Sequence, residues 1–165
     1  MPVEYTVDQK AVHVIAAAMK AEEDGKALRR DLLREMRAVG KPLVPELQSA
    51  VRSVPAVTTA APGLRDAVAA GIKVGVRMSG KSTGIKVTVG ATPGVRGFRF
   101  AGRALNRAKG WRHPVFGRDK WVQQAGKQWF EPPLLARRDE VRTAVLTAVE
   151  SMAQRIAARA KQGAK

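Results

Sequence analysis

A chain of 165 residues without a single cysteine excludes disulfide frameworks, thiol catalysis and thiolate metal sites. Hydrophobic residues at 45% suffice for one domain with a modest core, and aromatics at only 5% leave Val, Leu, Ile, Ala and Met to build it. The formal net charge of +16 points to a polyanionic or acidic neighbour, with DNA, an acidic protein ring and a membrane surface as the candidates.

Residues 1–8 hold Pro2 and the β-formers Val3, Tyr5, Thr6 and Val7, and read as an extended arm ahead of Asp8, a suitable N-cap. The region 9–54 reads as a long, kinked helix. Val12, Ile15, Met19, Leu28, Leu32 and Met36 recur at helical spacings, with Lys20, Lys26, Arg30, Arg34 and Arg37 on the other side. Gly25 marks a bend, and Gly40-Lys41-Pro42 a break or strong kink, after which Leu43, Leu47, Ala50, Val51 and Val54 continue an apolar side to Pro55. Residues 55–63 form a linker and Leu64–Ala70 a short helical turn. The period then changes to two. Ile72, Val74, Val76 and Met78 alternate with Lys73, Gly75 and Arg77, and Ile85, Val87 and Val89 alternate with Lys86 and Thr88, which predicts a β-hairpin with one apolar and one basic face.

Residues 90–110 contain five glycines and no acid, and read as a long basic loop. Two short strands are expected around Trp111–Phe116 and Lys120–Gln124. A helix over 132–160 follows, with Leu134, Val141, Val145, Val149, Met152 and Ile156 along its apolar stripe. The whole is expected to be a single domain, residues 1–165, of α+β class: a small antiparallel sheet packed against long N-terminal and C-terminal helices, with strands in 72–124.

Few motifs carry chemistry. Gly75 and Gly80-Lys81-Ser82 match the phosphate-binding P-loop by letter, but that chemistry needs a helix starting at the lysine, and β-branched alternation follows instead, so a hairpin turn is the better reading. His13 and His113 lie far apart with no ligand-spaced partner, and a zinc site needs three or four ligands. Glu22, Glu23 and Asp24 are adjacent and point in different directions from a helix, which suits a solvated face rather than a paired acid and base. No catalytic residue, cofactor site or metal site is assigned. No apolar run approaches the roughly 18 residues of a membrane span. The stretch Ala11–Met19 follows Glu4 and Asp8 rather than a basic segment, so it does not read as a signal peptide.

Charge is the stronger signal. Between Leu64 and Trp121 thirteen Lys or Arg face only two acids, Asp66 and Asp119. Such clustering suits phosphate contacts or an acidic protein surface. It lacks the regular aromatic interleaving of single-strand binders and any helix-turn-helix or RNP-like pattern, so sequence-specific recognition is not expected.

The segment Trp111-Arg112-His113-Pro114-Val115-Phe116-Gly117, then Trp121-Val122-Gln123-Gln124, Gly126 and Trp129-Phe130, ahead of a long helix, resembles the tail-component family of siphophage neck proteins. These are tail-completion or tail-terminator-like proteins of a form common in phages of actinobacterial hosts. The basic amphipathic N-terminal helix and the hairpin with Ser-Gly-Lys-Ser at its tip extend the resemblance over most of residues 10–155. The short gap between Phe116 and Trp121, and Pro132-Pro133 opening the last helix, depart from the pattern. The resemblance implies a non-enzymatic virion protein of the head–tail junction. Its copies would form a ring, commonly a hexamer, that caps the tail tube, meets the other neck or connector proteins and lets DNA pass through its lumen. Arg96, Arg99, Arg103, Arg107, Lys109 and Arg112 are then the candidates for contact with a neighbouring ring or packaged DNA, and Trp111, Pro114, Phe116, Gly117, Trp121, Trp129 and Phe130 the structural anchors. A nonspecific nucleic-acid-binding basic protein is the alternative that the charge alone supports.

Overall fold

The computed structural model describes residues 2–6, 9–22, 24–55, 63–78, 84–92, 100–114, 119 and 121–163. In chain order the elements are β1 (Pro2–Thr6), α1 (Gln9–Ala21), α2 (Gly25–Gly40), α3 (Leu43–Arg52), α4 (Leu64–Ala70), β2 (Ile72–Arg77), β3 (Gly84–Val89), α5 (Ala101–Leu105), β4 (Trp111–Pro114), β5 (Trp121–Gln124), α6 (Glu131–Ala136) and α7 (Arg138–Gly163). The fold is α+β. One sheet has the strand order β1-β3-β2, and β4 and β5 form a separate two-stranded ribbon. The chain divides into two compact units, one of residues 1–3, 43–73 and 88–136, the other of residues 4–42, 74–87 and 137–165.

Several expected boundaries change. The arm is a strand: Pro2–Thr6 lies beside β3 at the edge of the sheet. That is a position where proline, which has no N–H to give to a ladder, is tolerated. The long kinked helix of 9–54 is three helices, since the chain leaves helical geometry after Ala21, Gly25 N–H bonds Glu22 O at 3.0 Å, and a second break falls at Lys41-Pro42. The basic loop 90–110 contains α5, a helix too short to announce itself by periodicity. The last helix is divided at Arg137 into α6 and α7, and Val141 N–H takes Arg137 O at 3.0 Å as α7 begins.

The predicted hairpin pairs as β2 and β3. Gly90 N–H donates to Gly71 O at 2.8 Å just beyond the strand ends, which sets an antiparallel register. Burial follows the period of two along β2, where Ile72 is buried and Lys73, Gly75 and Arg77 are exposed. The turn residues 79–83 lie outside the described residues. Gly84–Val89 is nevertheless a strand, so no helix follows Lys81 and the condition for a P-loop is not met.

In the unit of residues 4–42, 74–87 and 137–165, α1, α2 and α7 pack together. Val12, Ile15 and Met19 from α1, Leu28, Leu32 and Met36 from α2, and Val141, Val145, Val149, Met152 and Ile156 from α7 are buried, each at spacings of three or four. Full burial of such side chains stabilises by about 1.5–3 kcal/mol apiece before entropy is counted. Arg155 Nη2 bonds Glu35 Oε1 at 2.6 Å across α7 and α2. Where α2 ends, a Cβ on Gly40 would lie 2.6 Å from Val74 Cγ1 and 3.1 Å from Ile85 Cγ2, so a residue without a side chain lets the helix end meet the hairpin.

The other unit is built on α3 and α4. Leu43, Leu47, Val51, Val54, Val68 and Ala69 are buried. Polar side chains close the pair: Gln48 Nε2 donates to Ala69 O at 3.3 Å, Arg65 Nη1 to Val54 O at 2.7 Å, and Arg52 Nε to Asp66 Oδ1 at 2.8 Å. The Arg52 hydrogen bond, helped by the arginine's charge, holds the Asp66 carboxyl below its ordinary value against an opposing effect of desolvation. A carboxylate whose pKa is lowered on folding adds stability above its unfolded pKa and loses it as pH falls through the folded value. Both side chains are half exposed, so the contribution is small. Asp66→Asn is expected to flatten the acid limb of a thermal-stability profile below about pH 4 while leaving neutral-pH stability little changed.

Candidate interaction surface

The segment that follows α5 is organised by Asn106. Its Oδ1 accepts the backbone N–H groups of Trp129 at 2.9 Å and Phe130 at 3.0 Å, and its Nδ2 donates to Glu131 Oε2 at 2.7 Å. One amide thus satisfies two donors ahead of α6 and fixes the first residue of that helix, each bond worth about 0.5–1.5 kcal/mol net. Lys127 N–H bonds Leu105 O at 3.0 Å and ties the same stretch to the end of α5. Trp129 and Phe130 are held in the core, with ring centroids 5.4 Å apart and planes at 71°. This edge-to-face arrangement is favoured by the ring quadrupoles.

Between α5 and this anchor runs the β4–β5 ribbon. Its register pairs Trp111 with Gln124, Arg112 with Gln123, His113 with Val122 and Pro114 with Trp121. The ribbon starts at Gly110, whose φ of +66° is left-handed and where a Cβ would stand 2.0 Å from Gln124 O, so only glycine fits without displacing the backbone. Gln124 Nε2 reaches Pro55 O at 2.7 Å and Gln123 Nε2 reaches Lys109 O at 3.2 Å, which fasten β5 to the chain on either side of it.

Alternation divides the ribbon into two faces. Trp111, Val122 and Gln124 are partly buried, whereas Arg112, Trp121 and Gln123 are exposed. Trp121 is 54% exposed, and the Arg112 guanidinium lies 5.7 Å from the centroid of its ring. Such a cation–π contact at an exposed site is worth about 0.5–1 kcal/mol. Trp121 therefore stands apart from the structural anchors Trp129 and Phe130. The spacing Trp121-Val122-Gln123-Gln124 contained this signal, since a period of two places Trp121 and Gln123 together and opposite Val122.

No protein-family model, curated protein or solved structure matches the chain.

Of the proposed contact residues, Arg103 projects from α5, Arg107 and Lys109 lie between α5 and β4, and Arg112 lies on β4, all four exposed. Lys127, which the sequence reading passed over, is exposed too, with Nζ 3.3 Å from Ser53 Oγ. Arg96, Arg99, Phe116 and Gly117 lie outside the described residues. Pro114 closes β4 opposite Trp121. His13 is in α1 and His113 in β4. Among the described residues no three His, Cys, Asp or Glu side chains are grouped to hold a metal ion, and no helix is long and apolar enough to cross a membrane. In the other unit an open groove of about 870 Å³ runs beside the α1–α2 break. Lys20, Lys26, Arg29 and Arg30 share its lining with Glu22 and Asp24, so charges of both signs meet there.

Proposed function

We propose that the protein is a structural subunit of a phage head-to-tail connector, of the tail-completion or tail-terminator type, and not an enzyme. Its copies close into a ring, a hexamer in the form the resemblance suggests, which caps the tail tube and joins it to the other neck proteins around the DNA channel of the virion. The observation that carries the reading is the block from Trp111 to Phe130, with its Trp-Arg-His-Pro-Val-Phe-Gly run, second tryptophan and Trp-Phe pair ahead of a long helix. Physical features agree with it. Val14 at 68% and Leu135 at 61% exposure leave large apolar side chains for neighbours to cover. The strand order leaves β1 and β2 as sheet edges, with Lys73 and Arg77 on β2 to discourage uncontrolled pairing. A net charge of +16 suits a ring that surrounds or abuts a polyanion.

Head-to-tail contacts between identical subunits generate a ring when the rotation closes. Negative-stain imaging of the purified protein, alone and mixed with tail tubes, is expected to show rings or capped tube ends. A chain that remains monomeric at high concentration and leaves tubes uncapped overturns the proposal and favours the alternative, a nonspecific nucleic-acid-binding protein.

A further inference from the structure

The outer face of the β4–β5 ribbon is the one place where the described residues set an exposed tryptophan against a cation, and further cations are exposed on the chain that flanks it. Trp121 and Arg112 are in contact, Gln123 pairs across from Arg112, and Arg107, Lys109 and Lys127 are exposed on the segments that flank the ribbon. The opposing charges nearby in sequence are Asp119, which is exposed, and Glu131, which is half-buried and accepts the Asn106 amide at 2.7 Å. The platform is fastened at Gly110, through Gln124 to Pro55 and through Gln123 to Lys109. The backbone that carries Trp121 and Arg112 is thus held before a ligand arrives, which lowers part of the entropic cost of binding.

Charge decides what covers it. A second copy of the chain carries the same +16. Five of its fourteen acids already face a cation of their own chain (Asp24 with Arg159, Asp31 with Arg34, Glu35 with Arg155, Asp66 with Arg52 and Glu140 with Arg137), and two such surfaces of like net charge repel each other. The complement is therefore a separate polyanion. A carboxylate-rich surface would satisfy the cations but makes no particular use of an indole. A polynucleotide uses both, since its phosphates meet the cations and its bases stack on aromatic rings. Bases inside a duplex are already stacked, so the indole selects nucleotides that are unpaired.

We infer that the outer face of the β4–β5 ribbon binds unpaired nucleotides of a nucleic-acid strand, with Trp121 as the stacking residue and Arg107, Lys109 and Arg112 as phosphate contacts. This does not rest on ring assembly, and it needs no base-specific hydrogen bond, so its sequence preference is weak.

The test is binding of the full-length protein to a labelled oligodeoxythymidine, a duplex of equal length and polyglutamate, followed by fluorescence anisotropy and tryptophan quenching across a salt series. The oligodeoxythymidine is expected to bind most tightly and to quench tryptophan emission. Trp121→Ala should weaken that binding by about tenfold with little change in its salt dependence. Trp121→Phe should recover much of the loss. Lys109→Ala with Arg112→Ala should lower the slope of log affinity against log salt by about 0.7 for each phosphate contact removed. Because Trp121 is exposed, the Ala variant is expected to keep the parent circular dichroism and urea midpoint, so a loss of affinity reports the contact rather than the fold. Equal affinity for duplex, or for polyglutamate, overturns the inference in favour of duplex DNA or an acidic protein as the occupant. Unchanged affinity of Trp121→Ala for the oligodeoxythymidine overturns it as well. Ring images, scored separately, leave this outcome unaffected.

Discussion

Phe130→Ala is expected to lower the free energy of unfolding by about 3–5 kcal/mol. Phe130 is fully buried, meets Trp129 edge-to-face, and gives its backbone N–H to Asn106 Oδ1 at 3.0 Å as α6 begins. Truncation leaves a cavity at the point where α5, the ribbon's exit and α6 are tied together. Trp129→Phe is the informative comparison. It keeps an aromatic ring and removes an indole N–H that is buried without a hydrogen-bond partner in the structure, so its cost should be clearly smaller. Urea unfolding measures both. A lower midpoint at unchanged slope marks lost stability, whereas a changed slope marks a change in the surface exposed on unfolding.

The second large effect is expected in the other unit. Leu32→Ala should cost about 2–5 kcal/mol, because Leu32 is fully buried on the face of α2 that carries Leu28 and Met36, and α2 packs on both α1 and α7. The adjacent residue is the control. Leu33 is only partly buried, so Leu33→Ala removes the same atoms from a site that water already reaches, and its loss should be well below that of Leu32→Ala. Equal losses at the two positions would mean that the helical face has been assigned wrongly.

Much of the candidate surface was legible in the chain. The excess of cations between Leu64 and Trp121 is visible in the sequence, and Arg103, Arg107, Lys109 and Arg112 are indeed exposed. Trp121 was the exception. Grouping the aromatics of the Trp111–Phe130 block together hid a division between Trp129 and Phe130, which fill the core, and Trp121, which faces solvent. Hydrophobicity alone does not separate them, because an isolated indole is as apolar in either place. The separation depends on which ribbon face is occupied by the rest of the unit, and Gln124 reaching Pro55 identifies that face.

Amphipathic periodicity by itself determined the long helical stretches, the β2–β3 hairpin and the buried stripe of α7, since a period near 3.6 or 2 is a local property that burial enforces. Composition determined the absence of cysteine chemistry and the strongly cationic character. Only the tertiary structure decided that Pro2–Thr6 pairs beside β3, that Ala101–Leu105 is helical, that the helical region breaks after Ala21, and that Trp121 points outward. Except for the break after Ala21, which a local Gly25 N–H to Glu22 O bond marks, each of these depends on partners distant in sequence. A five-residue helix or strand is unstable alone, and it forms because contacts such as Leu105 O with Lys127 N–H, or the ladder with β3, make up for the cost of ordering it.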